Sequence, residues 1–136
     1  MNGEPLATRP RETIQTASAP APIGPYSQAV GAGPFVFTSG VIGVDPASGA
    51  LSGDDAASQT RAAMANLGTV LAAAGLTFAD IVKTTIFLID MNDFRAVNDV
   101  YGESFAGLAP PARSTVAVAG LPRGARVEIE SIALRR

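Results

Sequence analysis

Apolar positions recur along this chain with two periods, and each switch between them marks an element. Tyr26-Ser27-Gln28-Ala29-Val30 and Phe35-Val36-Phe37-Thr38-Ser39 are short and rich in aromatic and β-branched residues, with Gly31-Ala32-Gly33-Pro34 between them. They predict a hairpin, with Gly40 placed where the backbone has to approach something closely. After the loop Asp45-Pro46-Ala47-Ser48-Gly49 the spacing becomes helical. A helix is predicted from Asp54 or Asp55 to Ala74, burying Ala63, Leu67, Val70, Leu71 and Ala74, with Gly75 as the residue that ends it.

The run 81–89 is apolar at most positions of both alternating faces, which predicts a central strand covered on each side. A second helix is expected after Asn92: Phe94, Val97, Asn98, Tyr101 and Phe105 fall three and four apart, so Asn98 is placed on the apolar stripe, where its amide needs a partner. Pro110-Pro111 stops that helix. Residues 113–118 and 127–132 then read as strands joined by a loop containing Gly and Pro, a second hairpin. The order strand, strand, helix, strand, helix, strand, strand favours a single α+β domain, a mixed sheet with two helices packed on one face. Residues 1–13 are read as a flexible N-terminal extension and 14–136 as the domain.

Composition adds a reason to associate. The 136 residues are 47% hydrophobic but only 6% aromatic, without Trp, and Ala supplies much of the apolar content. Ala buries little area, so such a core gains from contact with further copies of the chain. A net charge of −2 and a pI near 5.0 leave no basic excess for phosphates or an anionic membrane, which makes nucleic acid a poor partner. The chain contains no Cys and no His, which excludes thiolate nucleophiles, disulfides, His-based triads and the common zinc sites. No secretory apolar region and no run of membrane-spanning length is visible, so a soluble cytoplasmic protein is expected. No phosphate loop or metal set stands out, and the expected chemistry runs on carboxylates, hydroxyls, Arg, Lys, backbone groups and water.

Arg113 follows two prolines and a small residue at the mouth of a strand, where a guanidinium can grip a carboxylate through paired hydrogen bonds. Position alone favours an ordinary arginine at a strand end, solvated or paired with a nearby acid. Glu128 and Glu130 are two apart on a strand and share a face. A carboxyl on that face beside an apolar cleft has a raised pKa and can exchange protons with water; a solvated strand face is the other reading. If the two late strands pair, Arg113 and Glu128 come within side-chain reach. Tyr26, Ser39, Asn98 and Thr115 are the remaining polar groups expected near the cleft, each of them also a candidate for a purely structural hydrogen bond.

Ile23-Gly24-Pro25-Tyr26-Ser27-Gln28, Thr38-Ser39-Gly40, Asp80-Ile81-Val82-Lys83-Thr84-Thr85 and, most specifically, Pro111-Ala112-Arg113-Ser114 followed by Leu121-Pro122 and Val127-Glu128-Ile129-Glu130 resemble the RidA/YjgF family of reactive-intermediate deaminases over residues 14 to 136. The resemblance implies a chorismate-mutase-like fold and a homotrimer whose sheets form an inner barrel, with a cleft between neighbouring subunits. It further implies cofactor-free hydrolysis of enamines and imines such as 2-aminoacrylate and 2-iminopropionate to 2-keto acids and ammonia. Arg113 matches the family's carboxylate-binding arginine and Glu128 its water-activating glutamate, while Tyr26, Ser39, Gly40, Asn98 and Thr115 match positions lining the cleft. Thr115 stands where the family often has Cys, Val41 where Gln is common after Gly40, and Pro110 where Phe is frequent, departures that bear on substrate preference. Two other readings are open: a non-catalytic trimer that binds metabolites or proteins, and a ribonuclease or translation inhibitor, against which the acidic pI and scarce Lys argue.

Overall fold

The structure, a computed structural model, describes residues 3–136. Its strands are β1 (Glu12–Ile14), β2 (Ala29–Ala32), β3 (Phe35–Thr38), β4 (Val41–Ile42), β5 (Ile81–Leu88), β6 (Ala112–Ala117) and β7 (Val127–Leu134), with helices α1 (Ala56–Ala73) and α2 (Phe94–Glu103). They form one mixed sheet in the order β1-β2-β3-β7-β5-β6, with β4 also on β7; β5 and β6 run parallel and the other pairs antiparallel.

Local chemistry sets the ends of α1 where the sequence signals them. The Asp55 side chain accepts a hydrogen bond from the Ser58 N–H at 2.9 Å, and that bond holds its carboxyl below the ordinary range. At the other end Gly75 takes φ +75°, and the N–H groups of Leu76 and Gly75 return to the carbonyls of Leu71 and Ala72. This closes the last turn around a left-handed residue that only glycine adopts without strain. The buried stripe is wider than the apolar spacing suggests, since Gln59 and Asn66 are also buried. Asn66 donates to the carbonyls of Ile42 and Val44, and Gln59 donates to the Gly53 carbonyl while accepting from the Arg126 N–H. Both amides are therefore staples between α1 and irregular backbone beside β4 and β7.

Helices α1 and α2 cover one sheet face, where Leu67, Leu71, Ile86, Leu88 and Ile129 are fully buried. The strand β5 has neighbours on both edges but only one covered face; its alternate residues Lys83, Thr85 and Phe87 are half-buried on the open side. The expectation of a strand covered on each side thus holds for its edges and not for its faces.

Three further expectations change. The predicted hairpin of residues 113–118 with 127–132 does not form: β5 lies between β6 and β7, each of which pairs with β5 instead. The strand expected at 26–30 is displaced to Ala29–Ala32, and the turn narrows to Gly33-Pro34, with Gly33 at φ +56°. The N-terminal strand begins at Glu12, ahead of the boundary placed at residue 14, and the buried Arg135 guanidinium ties this segment down by donating to the Pro10 carbonyl beside the Glu12 carboxylate.

Candidate functional site

Residues in register on neighbouring strands project from the same sheet face, which places every candidate side chain. Arg113 and Thr115 on β6 lie opposite Thr84 and Ile86 of β5, both buried under the helices, so both point to the helix side. Glu128 and Glu130 on β7 lie opposite Phe87 and Thr85, on the open side. Arg113 and Glu128 are therefore separated by β5, roughly 10 Å across two strand spacings, and project from opposite faces. The expectation that they reach one another within one protomer is overturned, because it depended on the hairpin that does not form.

The candidates instead form two clusters. In the first, the Arg113 guanidinium carbon sits 5.6 Å from the Phe94 ring centroid and 5.0 Å from that of Tyr101. Both rings come from α2, and Tyr101 is itself fixed by a 2.6 Å hydrogen bond between its hydroxyl and the buried Thr84 hydroxyl. Burial raises the Tyr101 pKa, although the Thr84 bond and the Arg113 charge oppose the shift, so the phenol stays neutral beneath the cation. Two aromatic faces attract the guanidinium without consuming its N–H donors. Arg113 is half-buried and has no carboxylate within 4.0 Å among the described residues. Thr115, two residues along the same face, has a buried hydroxyl without a hydrogen-bond partner. Asn98 lies between Phe94 and Tyr101 at helical spacing, yet it is exposed. The core stripe of α2 is Val97, Val100 and Tyr101, and Asn98 borders it from the solvent side, contrary to its expected burial.

The second cluster surrounds a cavity of about 280 Å³ whose wall includes Tyr26, Ser39, Gly40 and Val41. Gln28 shapes this wall. Its buried amide accepts from the Thr16 N–H at 2.7 Å and donates to the carbonyls of Thr16 and Pro20, fixing the loop that leads to Tyr26. The Ser39 hydroxyl donates to the Ser27 carbonyl at 2.6 Å, so its proton is committed to structure and its lone pairs remain available. The Tyr26 hydroxyl accepts from the Ile23 N–H at 3.3 Å. Glu128 packs against Gly40: a Cβ at position 40 would lie 2.5 Å from Glu128 Oε2, so only glycine lets the carboxyl sit there. Burial raises the Glu128 pKa above the ordinary 4.5, and the like charge of Glu130 raises it further.

Sequence reasoning named Arg113, Thr115, Asn98, Tyr26, Ser39 and Glu128 but missed Gln28 and Arg123 in the cavity wall, the partition of the two clusters and the clamp that holds Arg113. Phe94 and Tyr101 read as core residues because helical spacing reports which positions share a face, not what lies across from it.

The profile of the family described as Endoribonuclease L-PSP matches residues 16–135. The chain belongs to that family, the RidA/YjgF family of the resemblance above. Within the endoribonuclease L-PSP family it is 50% identical over 125 residues to the 2-iminobutanoate/2-iminopropanoate deaminase of Mus musculus, covering 92% of each chain. Among solved structures it is similar to E. coli TdcF with bound serine, with TM-score 0.88, 43% identity, and 92% of this chain and 99% of that chain covered. It is likewise similar to the YjgF gene product from E. coli, with TM-score 0.87, 47% identity, and coverage of 92% and 99%. The two helices on a mixed sheet are thus the architecture of this family.

Proposed function

We propose that the chain is a hydrolytic deaminase of enamine and imine carboxylates, of the 2-aminoacrylate and 2-iminopropionate type, acting without a cofactor in a cytoplasmic homotrimer. The observation that carries this reading is Arg113: a half-buried guanidinium, held between two aromatic rings, with no carboxylate partner among the described residues. Such a group is poised for a ligand carboxylate, which it can hold through two parallel charge-assisted hydrogen bonds. The deaminase name borne by the mouse relative and the serine bound in TdcF both support a small amino-acid-derived ligand.

The partition of the clusters supports the trimer. Arg113, Thr115 and Asn98 of one subunit complete a cleft with Tyr26, Ser39, Gly40 and Glu128 of the next, because one subunit cannot bring the two sets together. The open sheet face supports it further: Phe37, Val116 and Leu134 are each 43% exposed there, an apolar surface suited to another copy.

The chemistry follows from the groups. Arg113 orients the carboxylate and sets the imine carbon near Glu128, whose carboxylate removes a proton from water as the oxygen adds to C=N. That proton passes from Glu128 to nitrogen to give the carbinolamine; Glu128 then takes the hydroxyl proton and delivers it to the same nitrogen as the C–N bond breaks, so ammonia leaves, a 2-keto acid remains and the carboxylate is restored. One water enters for each ammonia released. The ribonuclease reading fits less well, since the net charge is −2 and the chain offers one Lys. The test is release of 2-keto acid and ammonia from imines generated in situ. Acceleration by the wild type that vanishes in Arg113→Ala supports the reading, and no acceleration over buffer for any imine overturns it in favour of a binding module.

A further inference from the structure

The wall of the cavity holds a second cation that the proposed reaction does not use. Arg123 lies in the single turn Pro122–Gly124 before β7 and borders the cavity together with Pro46, Ala47, Ser48 and Gly49. Its backbone is at φ 57°, ψ 20°, the left-handed region, where it is the only non-glycine among the described residues. A strained backbone at a cavity wall marks a side chain whose placement is imposed by the surrounding structure. One donor, Nη1, binds the Gly49 carbonyl at 3.0 Å and latches the 45–49 loop to the turn. The remaining donors of the guanidinium have no hydrogen-bond or ion-pair partner among the described residues. The nearest acid of that loop is occupied locally: Asp45 accepts from the N–H groups of Ser48 and Ala47, which hold its carboxyl below the usual range. Between Arg123 and the Tyr26 end, the wall is largely apolar, with Ile23, Val41 and Val70.

We propose that this cavity receives the substrate side chain and that Arg123 selects side chains ending in an oxygen acceptor, a carboxylate or an amide, over aliphatic ones of equal length. The inference rests on the deaminase reading for the identity of the ligand. Gly40 borders both the cavity and the Glu128 carboxyl, so a side chain entering past it runs along the apolar wall toward a guanidinium whose fork matches a carboxylate. Although Arg123 is exposed, the bond to Gly49 biases its guanidinium toward the 45–49 side of the cavity, so less freedom is lost when it engages an acceptor.

The test reads the cavity with and without turnover. Arg123→Gly removes the cation at a backbone conformation that glycine favours, so the fold is expected to be retained, with the thermal midpoint as the control. For imines derived from glutamate and norvaline, the wild type is expected to favour the glutamate imine. The variant is expected to lose about tenfold or more in kcat/KM on that substrate and to change little on the other. In parallel, calorimetry compares the stable 2-oxo acids, 2-oxoglutarate against 2-oxopentanoate. A preference for the diacid that disappears in Arg123→Gly supports the subsite even if no imine turns over, an outcome that refutes only the deaminase reading. Equal or undetectable binding of the two acids, or an equal change on both imines, overturns the subsite while leaving deamination intact.

Discussion

The two faces of the sheet differ in what they accomplish. Under the helices, Leu67, Ile86, Leu88 and Ile129 are sealed from solvent, and Thr84 is paired with Tyr101 and Thr38 with Ser131, while on the edge strand β6 the Thr115 hydroxyl stays without a partner. On the open face, Phe37, Val116 and Leu134 remain exposed, and two glutamates stand side by side on β7. The covered face is finished within the protomer except at its β6 edge, where Arg113 and Thr115 stand, and the open face is not. Each carries half of the candidate site, Arg113 on the first and Glu128 on the second, so protomer stability and site chemistry respond to different substitutions.

The largest effect is expected from the finished face. Leu67→Ala leaves a hole in a core with no exposed neighbour to fill it and is expected to lower unfolding stability by about 2–5 kcal/mol, read from urea denaturation. Arg113→Ala leaves that core intact. It is expected to lower kcat/KM on imines by about a hundredfold, the order set by two charge-assisted hydrogen bonds, with the urea midpoint little changed. An equal loss of stability in both variants would break the separation of the core from the site residues at its edge.

Tyr101→Phe sharpens the comparison because it touches both functions. It strands the buried Thr84 hydroxyl, expected to lower stability by about 1–3 kcal/mol, yet it keeps the ring under Arg113, so activity is expected to fall far less than in Arg113→Ala. Tyr101→Ala, in contrast, is expected to raise KM as the guanidinium loses its platform.

The smallest effect is electrostatic. Glu128 has a folded pKa above its ordinary 4.5, so the folded chain holds this proton more tightly than the unfolded chain does. Its contribution favours folding in acid and is lost as the pH rises through the raised value. Glu128→Gln is therefore expected to match the wild type in stability well below pH 4.5 and to exceed it at neutral pH. As the base that takes a proton from water, Glu128 also sets the acid limb of kcat/KM, expected above pH 4.5 and absent from whatever activity Glu128→Gln retains.

Most of the covered face was legible in the chain, because helices announce themselves locally: Asp55 caps, Gly75 stops, and the residues between alternate at helical spacing. Pairing is not local. Residues 113–118 and 127–132 are neighbours in sequence and look like a hairpin, yet β6 joins β5 in parallel. The signal was present in the order strand, helix, strand of β5, α2 and β6, since a parallel pair needs such a crossover and a hairpin does not. That misreading hid the partition of the site. Asn98 was misplaced for a related reason: its spacing identified the side of α2 that holds Phe94 and Tyr101, and only the packing against β6 decides that this side is partly open.

The central claim, that the site is assembled from two subunits, is tested most directly by mixing two defective proteins. Arg113→Ala and Glu128→Gln, each nearly inactive alone, are unfolded together and refolded as mixed oligomers, and imine hydrolysis is measured. If each cleft joins Arg113 of one subunit to Glu128 of the next, random assembly leaves about a quarter of the clefts with both groups intact, and activity returns to about that fraction of wild type. Activity no higher than the sum of the two variants, in oligomers shown to contain both chains, would contradict the account and return the whole site to a single subunit.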